Sequence, residues 1–134
     1  MNTPVNFEIA KLLKEKGYSS ITEDPIYYYI NEVNNIKEHQ LKNQSNLYYA
    51  DFDYILLEDE YPAPTISQVV MWLYEKHDIW IECLHRGDMG NFTFKISKLK
   101  KGWRTDPHYI HDKGFNLPTE AYIEAIKYCL TKLI

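Results

Sequence analysis

The chain has 134 residues, a formal net charge of −4, and a composition that is 45% hydrophobic and 15% aromatic, with twelve tyrosines. This is material for one compact core, and the acid surplus argues against general nucleic-acid binding. Two cysteines, Cys83 and Cys129, read as packed free thiols in a reducing compartment and not as a secreted disulfide framework.

Thr3-Pro4 predicts the start of a first helix, and Gly17 predicts its left-handed exit. Val5, Ile9, Leu12 and Leu13 give that helix an apolar face, flanked by Phe7 and Ala10. From 18 to 62 the pattern is less regular. Ile26-Tyr27-Tyr28-Tyr29-Ile30, Leu47-Tyr48-Tyr49 and Tyr54-Ile55-Leu56-Leu57 have the aromatic and β-branched content of half-buried strands. Asn31 to Asn46 is polar, with weak helical spacing at Val33, Ile36 and Leu41, and reads as a loop. Asp51, Asp53, Glu58, Asp59 and Glu60 read as an acidic edge that discourages strand pairing.

The strongest pattern begins at Pro64. Thr65 and Gln68 form a capping-box arrangement. Ile66, Val69, Val70 and Leu73 then recur at spacings of three and four, which predicts one buried helical stripe. Met71, Trp72 and Tyr74 lie off that stripe, so the helix is apolar over more than one face. After Lys76, His77 and Asp78 the period shortens to two. Ile79, Ile81 and Cys83 alternate with Trp80, Glu82 and Leu84 as a strand expected in the interior of a sheet. The segment His85 to Asn91 predicts a turn, returning through Phe92, Phe94 and Ile96 as an antiparallel partner.

Lys95, Lys98, Lys100, Lys101 and Arg104 then cluster without an acid, interleaved with Phe94 and Trp103. Single-strand binders use such interleaving for phosphate attraction and base stacking. A last helix is expected from about Pro118, with Tyr122, Ala125, Ile126, Cys129, Leu130 and Leu133 on its inner face.

Ala63 to His77 with Ile79-Trp80-Ile81, then Pro118-Thr119-Glu120-Ala121-Tyr122 with Ala125-Ile126, and the opening Phe7 to Gly17, together resemble a family. These are small, uncharacterised α/β proteins found in gut Bacteroidetes and in their phages and mobile elements. Similar proteins usually carry Gly where Asp78 stands and Ser where Leu117 stands. The resemblance carries no activity, so it assigns no functional residue.

Chemistry-bearing constellations are thin. His108 and His111, with Asp106 and Asp112 beside them, have metal-ligand chemistry, but an i, i+3 pair on a strand or loop points to opposite sides. Cys83 near His77 and His85 has the makings of a nucleophile and base, yet it alternates with isoleucines on an apolar face. No glycine-rich phosphate loop is present. The expectation is therefore a non-enzymatic module with no catalytic residue, cofactor or metal.

It is expected to be a single α+β domain over 1–134, with an antiparallel sheet of about four or five strands packed with three helices. No signal-peptide pattern or run of roughly 18 apolar residues is visible, so a cytoplasmic protein off the membrane is expected. The expected partner is another protein or a second copy, met through Tyr27, Tyr28, Tyr48, Tyr49, Trp72 and Tyr74. The alternative is single-stranded nucleic acid on Lys98, Lys100, Lys101, Trp103 and Arg104.

Overall fold

The computed structural model describes residues 3–18, 20–21, 26–31, 39–44, 54–55, 60–99, 105–110 and 113–134. It is an α+β structure with three α-helices and antiparallel strands. The chain divides into two compact units, Thr3–Thr65 and Ile66–Ile134, which are taken in turn.

In the first unit, Pro4 forms an antiparallel bridge with Thr65, and the Val5 N–H donates to the Pro64 carbonyl at 2.9 Å. That bridge holds residues 3–5 extended, so helix α1 (Phe7–Glu15) starts later than Thr3-Pro4 suggested. Asn6 caps it instead, its Oδ1 accepting from the Ile9 N–H at 2.9 Å. The exit follows the expectation. Gly17 has φ +95°, Tyr18 N–H donates to the Leu13 carbonyl at 2.9 Å, and Gly17 N–H donates to that of Lys14 at 3.2 Å. This is a Schellman ending, which needs the left-handed conformation glycine adopts without a Cβ penalty. Ile9, Ala10 and Leu13 are fully buried, whereas Leu12 is half-buried.

Two short strands, β1 (Ser20–Ile21) and β4 (Tyr54–Ile55), pair with each other. In a separate ladder β2 (Ile26–Asn31) lies between β3 (His39–Gln44) and β5 (Glu60–Pro62). β3 corrects the reading of 31–46 as one polar loop. Its sequence, His-Gln-Leu-Lys-Asn-Gln, has little β character. Among the described strands it pairs with β2 alone, and outer strands tolerate polar and lysine-bearing sequence. Pro62 ends β5, which among the described strands pairs with β2 alone, in keeping with the confinement of proline to sheet edges. Tyr61 packs edge-on against Phe7 at 5.1 Å, and the Lys14 ammonium lies 4.6 Å from its ring centre.

In the second unit, helix α2 (Ile66–His77) buries the stripe Ile66, Val69, Val70 and Leu73. Removing those four side chains from water is worth roughly 6–12 kcal/mol as an upper figure. Asp78 turns the chain with φ +56° directly into β6 (Ile79–Arg86). β6, β7 (Asn91–Leu99) and β8 (Thr105–Ile110) form a three-stranded antiparallel sheet with β7 in the middle and a bulge between Ile96 and Ser97. β6 was expected in the interior. Among the described strands it pairs with β7 alone, and it is β7 that is covered on both sides: Phe94 and Ile96 on one, Thr93 and Ser97 on the other.

Helix α3 (Pro118–Tyr128) packs on β6, β7 and α2, and continues as a π-helical turn, Cys129–Leu133. Ala121, Ala125, Ile126, Cys129 and Leu130 are its buried face, close to the expected one, with Tyr122 and Leu133 half-buried. Phe115 bridges to Phe92, and its ring stacks on Phe94 at 6.2 Å. A Cβ at Gly114 would collide with the Asn91 amide, so this position accepts only glycine without rearrangement. The described strands thus fall into three ladders of two, three and three strands.

Candidate interaction surface

Of the six side chains expected to form an interaction face, the structure describes two. Tyr74 is 42% exposed, and Met71, three residues earlier on the same side of α2, is 44% exposed. The Tyr74 ring meets Trp80 edge to face at 5.5 Å and 76°. Trp80 is half-buried on β6, and Leu84, four residues along the same strand face, is 36% exposed.

Trp72 is different. It is half-buried with its ring 4.7 Å from that of His77, and a spacing of two on a helix does not bring it to the side of Tyr74. Trp72 and Tyr74 therefore do not form one face. Tyr27 and Tyr28 lie in β2, in register with Asn43 and Lys42; Tyr48 and Tyr49 lie outside the described residues. Around Tyr74 the structure brings Trp80, with Met71 on the same side of α2; neither was among the expected site residues. The signal for Met71 was its spacing from Tyr74. Trp80 needed the knowledge that α2 turns back onto β6 through a single residue.

The basic run is described only in part. Lys98 is exposed at the end of β7, and Lys95 is half-buried opposite Glu82. Lys100, Lys101, Trp103 and Arg104 lie outside the described residues. His108 belongs to β8, and His111, Asp112, Asp51 and Asp53 lie outside the described residues. Among the described residues no group of three or more metal-ligating side chains comes together. In the hairpin turn, the Met89 and Gly90 N–H groups both donate to the Arg86 carbonyl, at 3.0 and 2.9 Å.

Burial raises the thiol pKa at both cysteines, and both are free. Cys129 is pushed up to about 12, with a backbone hydrogen bond acting weakly the other way. Neither thiol has the lowered pKa of an activated nucleophile. Burial also raises the Tyr122 phenol, as does the neighbouring Cys83; a backbone hydrogen bond from Cys83 opposes, and Glu82 adds to the rise.

The second unit is thus a small α+β unit that exposes Met71 and Tyr74 on one side of α2. No protein-family model matches the chain, and comparison with curated proteins and with solved structures finds no match. Among the described residues no helix is long and apolar enough to cross a membrane.

Proposed function

We propose that this chain is a non-enzymatic protein-interaction module that meets a protein partner through the outer side of α2 and the adjoining part of β6. The observation that carries the reading is the exposure of Met71 and Tyr74, with the Tyr74 ring against Trp80. Large apolar groups gathered on one surface mark interaction sites more often than the same groups scattered singly. Aromatic and methionine side chains are also those enriched where proteins meet. A reducing, cytoplasmic setting belongs to the same proposal and is supported by the two free thiols. So does kinship with the small Bacteroidetes and phage proteins, supported by the motif-bearing stretches forming α2, the start of β6 and α3.

The test is affinity capture from a lysate of the source cells, at low and high salt and with nuclease controls, comparing wild type with Met71→Ala/Tyr74→Ala. A discrete protein retained at high salt by wild type and lost from the double variant is the expected result. Retention indifferent to the double variant overturns the assignment of this surface. Recovery that is sensitive to both nuclease and salt moves the function to single-stranded nucleic acid and to the basic run beginning at Lys95 and Lys98.

A further inference from the structure

The exposed side of α2 carries charge as well as apolar area. Met71, Tyr74 and Glu75 are exposed, and so is Asp78, the first residue past the helix. Spacings of four set Glu75 next to Met71 and Asp78 next to Tyr74, because residues four apart are neighbours on a helical surface. All four fall within about 100° of the helix circumference. Lys76 is two residues from Tyr74 and so about 160° round the helix from it. The His77 ring packs on Trp72, 4.7 Å away. The acids therefore share their side of the helix with Met71 and Tyr74, whereas Lys76 does not. On the same face of the sheet as Trp80, Glu82 and Lys95 stand opposite one another and contribute no net charge. The end of α2 adds the negative pole of its dipole beside Asp78. The Tyr74 and Trp80 rings meet edge to face at 76°, which leaves at least one face of each ring outside the pair. It is the face of an aromatic ring that attracts a cation.

We propose that the protein met by this surface presents an arginine beside an apolar side chain. The apolar group covers Met71, and the guanidinium lies on the Tyr74–Trp80 pair with Glu75 and Asp78 as its counter-charges. This inference rests on the reading of the same surface as a protein-interaction site and names the chemistry of the partner. A guanidinium suits the place better than an ammonium because it is planar and less strongly hydrated, and it stacks on a ring while its N–H groups bond to a carboxylate. An acidic segment would meet like charge from Glu75, Asp78 and the helix end.

The probe is N-acetyl-leucyl-arginine amide, and its control carries citrulline, which keeps the shape of the arginine side chain and removes its charge. In amide NMR titrations of the full chain, the arginine probe should shift Met71, Tyr74, Glu75, Asp78 and the Trp80 indole. It should bind roughly tenfold more tightly than the citrulline control. Glu75→Gln together with Asp78→Asn should remove that preference. Equal affinity of the two probes, a preference indifferent to the double variant, or shifts that miss these residues overturns the proposal. Should Asp78→Asn lower the melting temperature, Glu75→Gln alone decides: a roughly threefold loss for the arginine probe is expected, and an unchanged affinity overturns the assignment. Lysate capture separates this inference from the reading beneath it. Loss of the retained protein with Met71→Ala/Tyr74→Ala and with Glu75→Gln/Asp78→Asn is the expected result. Loss with the first pair alone overturns the arginine and leaves the surface standing, whereas retention indifferent to both pairs overturns the two together.

Discussion

Helices α2 and α3 of the second unit bury comparable apolar faces but differ at their ends. α2 begins directly after Thr65 and leaves through a left-handed Asp78. α3 begins after Leu117, which is extended at φ −124°, ψ 146° and gives no side-chain cap, so Pro118 at the first turn is its main local starting signal. It ends in a π-turn, where the Ile134 N–H reaches back to the Cys129 carbonyl at 3.2 Å and the Thr131 hydroxyl donates to that of Lys127 at 2.8 Å. Each helix carries one poorly suited residue at a boundary and forms nonetheless. Tertiary burial of an amphipathic face outweighs end chemistry worth about 1 kcal/mol.

The largest break in that comparison should come from the buried faces. Leu73 and Ile126 are both fully buried. Leu73→Ala and Ile126→Ala should each cost roughly 2–5 kcal/mol in urea denaturation. Tyr74→Ala, one residue from Leu73 but exposed, should cost about 1 kcal/mol or less. If Leu73→Ala and Tyr74→Ala were equally damaging, the division of α2 into a core side and an exposed side would be wrong.

Cys129, in the turn that continues α3, adds a pH dependence to stability. Its folded pKa is raised from the ordinary 9.0 to about 12. The folded state therefore holds the thiol proton where the unfolded chain has released it, and stability falls as pH rises. The contribution is intact below pH 9.0 and is lost as pH climbs towards about 12. The loss is at most on the order of 4 kcal/mol at the top of that window. Cys129→Ala should flatten the alkaline arm of a stability-versus-pH curve from chemical denaturation. An unchanged slope would mean that another group, such as Tyr122, governs it.

What was legible in the sequence followed from how local its cause was. The α2 stripe could be read because burial by one helical face leaves a period of its own, and all four residues named for it are buried. The β6–β7 hairpin was legible for the same reason, through alternation and a turn containing two glycines. Asn6 was missed as the cap of α1 because the competing Thr3-Pro4 is held extended by Thr65, a pairing that no local pattern encodes. β3 was missed because its order comes from backbone bonds to β2, for which side-chain hydrophobicity carries no information. At the surface, Tyr74 could be read as lying off the stripe. Its separation from Trp72 needed the ring contacts.

The smallest expected effects sharpen the comparison by repairing each boundary. Leu117 is 55% exposed, so Leu117→Ser gives up little burial and supplies the missing N-cap acceptor, raising stability by roughly 0.5–1 kcal/mol. Asp78→Gly involves opposing terms. Glycine relieves the cost of a left-handed L-residue and removes a carboxylate from the negative end of the α2 dipole, which is worth about 0.3–1 kcal/mol. Against this, the greater freedom of glycine in the unfolded chain costs about 0.4–1 kcal/mol. Aspartate is among the residues that tolerate this conformation, so the relief is modest and the net gain should be only about 0.5 kcal/mol. Asp78→Asn separates the two favourable terms by removing the charge while keeping a side chain. If the asparagine variant captures the whole gain in thermal denaturation, the dipole is responsible; if it captures none and glycine does, the backbone conformation is. A loss of stability in both would show that the Asp78 side chain makes a favourable contribution at the α2–β6 turn.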